Sequence, residues 1–555
     1  MAMTIATCKS LAQQLEPILW KHLTIRVRQP ARESLTRNCH IIESIRIVGL
    51  NDIFFENVLD ILQYLSTTTG PRLDKETSTS CVTLKRLKRI ELTNLIYASG
   101  LLTMFNYCPK LTYLDISCTM LLKDPNSARL FRQALSDNLR QLEHLRLNGL
   151  FATTKNVLPL LVVCFLHPQL KEMRFKFSMK VSGNREYSHW YEDDQEEEES
   201  QSDQGDEEFG VDPELRWVTT SLENASRSSD YSTSKISSLT LPSYRRGYPA
   251  SFLVLLLRYY LPNIEAFDIP WGILDANLQE ECPKMCFKLQ HISFSQHEFH
   301  APYELDAYTA EIKSFIIGCS SGVGLKSIRA YHFDEGDYHF VHDSLLGVVA
   351  DNHSSTLEEV DFRNCQSVPS LSIQNILSTC RKLTRFNVIP ASGSASVYFN
   401  HIVNGGQWVC LDLKELCLNL KRSSADYYDG TETELGKAEA KYVYSQIGRL
   451  VRLETLRLGY MGDLSKEQRE SFELNLTLKD GWLAELQGLV ELRHFHMASD
   501  FWSNMGQAET EFMSSHWPRL QTITVGSPLS WKAGHYEQQP HWQRLRDRKI
   551  KFLYN

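Results

Sequence analysis

Apolar residues along most of this chain fall into one six-residue pattern, apolar-x-x-apolar-x-apolar, as in Leu142-Leu145-Leu147 and Leu453-Leu456-Leu458. The pattern occurs fifteen times, with first anchors at Ile42, Leu87, Leu111, Leu142, Leu170, Ile236, Ile264, Leu289, Leu325, Leu357, Leu383, Leu413, Leu453, Leu492 and Leu520. The alternation over its last positions predicts a short strand with one face inward. Upstream of many copies lies an apolar segment of helical character, at 99–107, 157–166, 251–260, 372–379 and 442–450. A Pro or Cys often follows it just before the strand, as in Cys108-Pro109, His167-Pro168, Leu261-Pro262, Cys380 and Trp517-Pro518. Proline stops a helix and favours an extended approach to the strand.

Strand plus helix in roughly 20–29 residues is the leucine-rich repeat. One unit cannot bury its apolar face alone, whereas stacked units bury a continuous core. The fold predicted is therefore α/β: one right-handed, horseshoe-like solenoid with a parallel concave sheet and convex helices. The run Leu357-Val360-Phe362-Cys365 fits L-x-x-L-x-L-x-x-C. On that motif the chain resembles the cysteine-containing, ribonuclease-inhibitor-like repeats of the F-box/leucine-rich-repeat family over residues 40 to 526. Spacing is irregular, and most copies lack Asn or Cys at the ninth position.

Residues 1–40 read as an N-terminal cap. Within them Cys8, Lys9, Leu15, Pro17, Leu19 and Trp20, leading to Ile25, resemble the last helix of an F-box. Leu11 stands where that family often has Trp. Only seven residues precede Cys8, fewer than the family's two earlier helices need, so adaptor binding is expected to be weak. The plainer reading is that Leu15, Ile18, Leu19 and Trp20 shield the first repeat, a cover that every solenoid requires. The repeats then run over 41–177 and 235–526 as two parts of one array, separated by an insert at 178–234, with a C-terminal cap at 527–555. Shorter inserts fall at 66–80, 296–308, 421–437 and 459–481.

The insert changes the meaning of the net charge of −8, because 192–208 holds eleven acidic residues and no Lys or Arg. Without it 59 basic residues face 56 acidic ones, or +3. The rest of the chain is thus nearly neutral, with no basic excess to attract nucleic acid. Dense like charge with little apolar content predicts disorder over 178–234. Apolar runs at 158–166 and 252–257 are far short of the ~20 residues of a membrane span. Residues 1–10 lack the basic-then-apolar order expected of a signal peptide. Thirteen scattered cysteines suit a reducing compartment, cytosol or nucleus.

In each strand the residue between the last two anchors is expected to face solvent on the concave side. That column reads Arg46, Glu91, Asp115, Arg146, Arg174, Thr240, Asp268, Ser293, Arg329, Asp361, Asn387, Cys417, Arg457, His496 and Thr524. Its nine charged members form a mixed polar groove suited to a protein partner. The plainer alternative is a solvated face whose charges pair across strands. Cys282, Cys286 and His291 lack a second ligand pair for zinc, and repeat cysteines normally pack as small apolar groups. His297-Glu298-Phe299-His300 has its second His one residue too early for the H-E-x-x-H zinc motif. No catalytic residue, metal or cofactor is implied. The resemblance implies a substrate-recognition subunit of an SCF-type cullin–RING ubiquitin ligase, with a protein substrate on the repeats and a Skp-type adaptor and cullin as further partners. The other reading is a repeat scaffold or inhibitor with no link to ubiquitin.

Overall fold

The computed structural model describes residues 21–25, 42–47, 86–95, 102, 105, 108–118, 121–122, 124–180, 213–226, 235–241, 243–244, 263–270, 286–295, 312–320, 322–331, 343–362, 368–388, 396–421, 427–428, 431–459, 476–479, 481–497, 505–525 and 540–554. The chain divides into two compact units, Met1–Ile273 and Leu274–Asn555. In the first unit β1 (His22–Ile25), β2 (Ser44–Ile47), β3 (Arg89–Leu95), β4 (Tyr113–Cys118), β5 (His144–Thr153), β6 (Glu172–Lys180) and β7 (Ser238–Thr240) pair in sequence order, all parallel. The two-residue β8 (Ser243–Tyr244) pairs with the end of β6, and β9 (Ala266–Pro270) follows β7.

The second unit repeats the plan with β10 (His291–Ser295), β11 (Ser327–Tyr331), β12 (Glu359–Asp361) and β13 (Arg385–Asn387). It continues through β15 (Glu415–Leu418), β19 (Thr455–Leu458), β20 (His494–Met497), β21 (Thr522–Val525) and β22 (Lys551–Tyr554). Beside this ladder β14 (Val397–Tyr398) pairs with β16 (Leu420–Lys421), and β17 (Tyr427–Tyr428) forms a hairpin with β18 (Thr431–Glu432). Each unit is a leucine-rich-repeat array.

The repeat pattern makes this fold for a local reason. All fifteen first anchors and all fifteen second anchors are buried. Three residues before many first anchors a carbonyl accepts the anchor's amide: Cys108 from Leu111, Leu139 from Leu142, Cys286 from Leu289, Leu450 from Leu453. That turn delivers the chain into the strand. At the strand start one carbonyl then accepts two consecutive amides from the next repeat. Lys88 accepts from Thr112 and Tyr113, Glu143 from Lys171 and Glu172, Lys326 from Glu358 and Glu359, and Thr384 from Lys414 and Glu415. This joint fixes the register before any side chain contributes.

Helices pack on the anchor side. Pro125–Asp137 is capped by Asp124, whose carboxylate accepts from Ser127 at 2.8 Å, and it buries Ala128, Phe131, Ala134 and Leu135. Between Ser370–Thr379, Phe399–Asn404 and Glu434–Gly448 runs a buried polar chain. Trp408 Nε1 donates to Gln374 at 2.8 Å, Gln374 Nε2 donates to the Gly406 carbonyl, and the Trp408 amide donates to Gln446 at 3.1 Å. Burial pushes the thiols of the buried Cys108 and Cys410 up to about 12.

The described residues refine several expectations. Within the segment 1–40 read as the N-terminal cap, β1 pairs residue for residue with β2. The C-terminal segment likewise contains a strand, β22, paired with β21. The stretch 178–234 is not structureless throughout. The β6 strand runs to Lys180, and Pro213–Ser226 is a helix whose Val218 and Leu222, four residues apart, are buried. Because β6 pairs directly with β7 across that stretch, the array is not broken there. The two compact units divide after Ile273. Residues 421–437, read as an insert, hold the β17–β18 hairpin and the start of the helix Glu434–Gly448.

Candidate partner-binding face

The backbone register brings the charged column together within each unit. In the first unit Thr24, Arg46, Glu91, Asp115, Arg146, Arg174, Thr240 and Asp268 stand on successive strands as direct partners. In the second the order is Ser293, Arg329, Asp361, Asn387, Cys417, Arg457, His496, Thr524 and Leu553. Neighbouring strands are roughly 4.8 Å apart, so each column is a closely spaced row of side chains.

The row is half of the face. Residues two apart on a strand share a side, so a second column runs beside the first. In the first unit it contains Ser44, Arg89, Tyr113, His144, Glu172 and Ser238, and in the second Ser327, Glu359, Arg385 and Glu415. The sequence reading took one residue per strand and missed this column. The period of two that placed the first column would have found it.

The two columns interlock. Glu172 is the hub of the first unit, only 13% exposed. Its Oε1 accepts from Arg146 at 2.9 Å and lies 2.7 Å from Arg174, while Oε2 is 3.0 Å from His144 Nδ1. Burial pushes the Glu172 carboxyl upward, but Arg174, His144 and Arg146 together outweigh that and hold it below the usual carboxylate range. Glu91 plays the same part for Arg46, at 3.2 Å, and for Arg89, at 2.6 Å. The Arg89 guanidinium lies 3.7 Å from the centre of the Tyr113 ring, with Arg146 at 5.4 Å. Asp115 accepts from Asn148 at 3.2 Å and from the Tyr113 hydroxyl at 3.4 Å, and burial raises its pKa despite Arg146.

This pairing alters the meaning of Arg146 and Arg174. As water-facing charges they would tolerate reversal. With Glu172 between them, two glutamates in their place would crowd three carboxylates together, so reversal would cost stability as well as binding.

In the second unit Arg329 donates to Glu359 at 2.6 Å, and Ser327 donates to the same carboxylate at 3.2 Å. A polar depression of about 350 Å³ opens here, lined by Arg329, Glu359, Asp361, Arg385, Asn387 and Glu415. Asp361 does not face open solvent as the sequence reading has it. It is 7% exposed, although it lines the depression. Thr240, Asn387, Cys417 and Thr524 are buried likewise. Arg457 stands between Cys417 and His496, and burial together with Arg457 pushes the His496 ring down to about 3.

Cys286 packs in the core at the turn before β10, where its carbonyl accepts from Leu289. Cys282, His297 and His300 lie outside the described residues, as do the F-box-like residues Cys8, Lys9, Leu15, Pro17, Leu19 and Trp20. Among the described residues no helix is long and apolar enough to cross a membrane.

No family model matches the sequence, and no curated protein matches it. Among solved structures, the chain is similar to the yeast complex of Rad7 and Elc1, at 11% identity and a TM-score of 0.36, over 94% of this chain and 90% of that one. It is also similar to the leucine-rich-repeat-containing protein LegL7 from Legionella pneumophila, at 12% identity and a TM-score of 0.27, over 61% of this chain and 86% of that one.

Proposed function

We propose that this chain is a non-catalytic protein-binding leucine-rich-repeat protein that serves as a substrate-recognition subunit of an SCF-type cullin–RING ubiquitin ligase. The observation that carries the binding half is the double column of the first unit, where Tyr113, Glu91 and Glu172 hold Arg46, Arg89, Arg146 and Arg174 ready for a partner. Arginines and an aromatic ring, fixed before contact, are the groups that dominate protein interfaces. Support for the ligase half is the resemblance of Cys8, Lys9, Leu15, Pro17, Leu19 and Trp20 to the end of an F-box.

A second reading, a scaffold or inhibitor outside ubiquitination, has one observation in its favour. The β1 strand, starting two residues after Trp20, is the first strand of the sheet among the described residues, which suits the preceding residues to covering the first repeat. A pull-down of the full-length chain with a purified Skp-type adaptor separates the two. The ligase reading expects weak binding that disappears in Trp20→Ala while the fold survives. No adaptor binding by the wild type, with protein partners still captured from cells, would leave the scaffold reading in its place.

A further inference from the structure

On the face of the first unit, arginines outnumber the carboxylates they share. Arg46 and Arg89 both use Glu91, and Arg146 and Arg174 both use Glu172. One carboxylate between two guanidiniums leaves each group a positive charge in excess. A guanidinium also has five N–H donors, more than half a carboxylate can occupy. The exposed Lys176 stands on the same side of β6 as Arg174, in register with Asn148. Over β2–β6 the described face holds Arg46, Arg89, Arg146, Arg174 and Lys176 against Glu91, Asp115 and Glu172, an excess of two, which Asp268 on β9 lowers to one over the whole column. In the second unit the strands β11–β19 are balanced, with Arg329, Arg385 and Arg457 against Glu359, Asp361 and Glu415, and Lys551 on β22 lies away from that stretch.

Charge alone would give steering. Fixed geometry adds specificity, because arginines already stacked on Tyr113 or held by Glu172 lose little freedom when a ligand arrives. Arg46 and Arg174 remain 58% and 43% exposed in spite of their ion pairs, so a carboxylate can reach them from solvent.

We infer that the β2–β6 part of the first unit's sheet face takes an acidic segment of the partner protein, an extended stretch rich in Asp and Glu. This rests on the reading of that face as a protein-binding surface. The partner's carboxylates complete the sharing that Glu91 and Glu172 begin.

The test is fluorescence anisotropy of a labelled acidic peptide with full-length protein, beside a peptide in which every Asp and Glu is Asn or Gln. The informative variant is Arg46→Gln with Arg174→Gln, because Glu91 keeps Arg89 and Glu172 keeps Arg146, so no carboxylate is orphaned. It should bind the acidic peptide about tenfold more weakly at low salt, the size expected for two exposed charge pairs. That difference should vanish as salt shortens the screening length. Arg385→Gln with Arg457→Gln, in the second unit, should bind like wild type. Circular dichroism and the thermal midpoint report whether each variant is folded. Equal binding of acidic and neutral peptides, or equal loss in both double variants, overturns the inference. Binding seen only after the eleven acids of 192–208 are made Asn and Gln would assign the face to the chain's own acidic segment, which also overturns it. Either failure with protein capture intact leaves the wider reading standing, whereas loss of all capture overturns that reading too.

Discussion

At His353 the backbone amide of Leu325 donates to Nδ1 at 3.1 Å while Nε2 faces the Ile316 carbonyl at 2.8 Å. The neutral ring, with its proton on Nε2, satisfies both neighbours, and a second proton would point at an N–H. His167 stands in the same way between Gln169 and the Leu139 carbonyl. Burial lowers the pKa of both. His496 goes further, to about 3, through burial and the nearby Arg457. A histidine with a depressed folded pKa stabilises fully above its unfolded value, about 6.5, and loses that contribution as pH falls below it. The unfolded chain takes up protons that the folded chain refuses. For His496 the loss from pH 7.5 to 5.5 is about 1.4 kcal/mol. Urea unfolding at the two pH values should show it, and His496→Gln should flatten the dependence by that amount. An unchanged slope in the variant would mean that the ring is protonated in the folded protein. These roles were illegible in the sequence, where each histidine is one letter and its acceptor lies 28 to 37 residues away. The charged column was legible because period two is a local property of a strand. What Arg146 and Arg174 do to one another through Glu172 depends on which strands are neighbours.

The apolar run at 372–379 marks a helix that spans Ser370–Thr379, whereas the run at 442–450 marks only the end of Glu434–Gly448. The first half of that longer helix is polar, and its start is set by Thr433, whose hydroxyl accepts from the Gly436 amide at 3.0 Å. The helix Pro213–Ser226 was hidden by the acidic residues before it, since composition averages over a window and burial of Val218 and Leu222 does not. Helix ends also carry a steric requirement. A Cβ at Gly448 would collide with the Glu485 carbonyl oxygen, and one at Gly488 would lie 2.6 Å from the Gly448 carbonyl oxygen. Both clashes are with backbone, which cannot swing aside. Gly448→Ala should therefore destabilise the protein by about 1–3 kcal/mol, in the range of overpacked sites. Gly347→Ala, in the helix Asp343–His353, where a Cβ meets nothing within 4 Å, should stabilise it by about 0.4–1 kcal/mol. Denaturant midpoints of the two variants give the comparison. Equal effects would mean that the close approach at Gly448 relaxes freely.

For the molecule as a whole, the acidic stretch 192–208 dominates net charge without setting the sheet. Lys171 accepts from Ser237 and Ser238 across a gap of 66 residues just as Glu143 accepts from Lys171 and Glu172 across 28. Replacing 192–208 by an uncharged linker should leave the thermal midpoint within about 3 °C, since changes away from packed features usually cost under about 0.5 kcal/mol. The same change moves the formal charge from −8 to +3, so the protein should pass from an anion exchanger to a cation exchanger near neutral pH. A split or broadened transition would show that the stretch is part of the packing. The joint that accepts two amides also makes the array a ruler whose graduations ignore the length of thread between them. Insertions and deletions between strands change what hangs from the sheet and leave the pitch of its side chains alone. A reporter domain or epitope spliced between Lys180 and Pro213 would ride on the molecule as cargo, with Glu172 and its arginines still in place a few residues away.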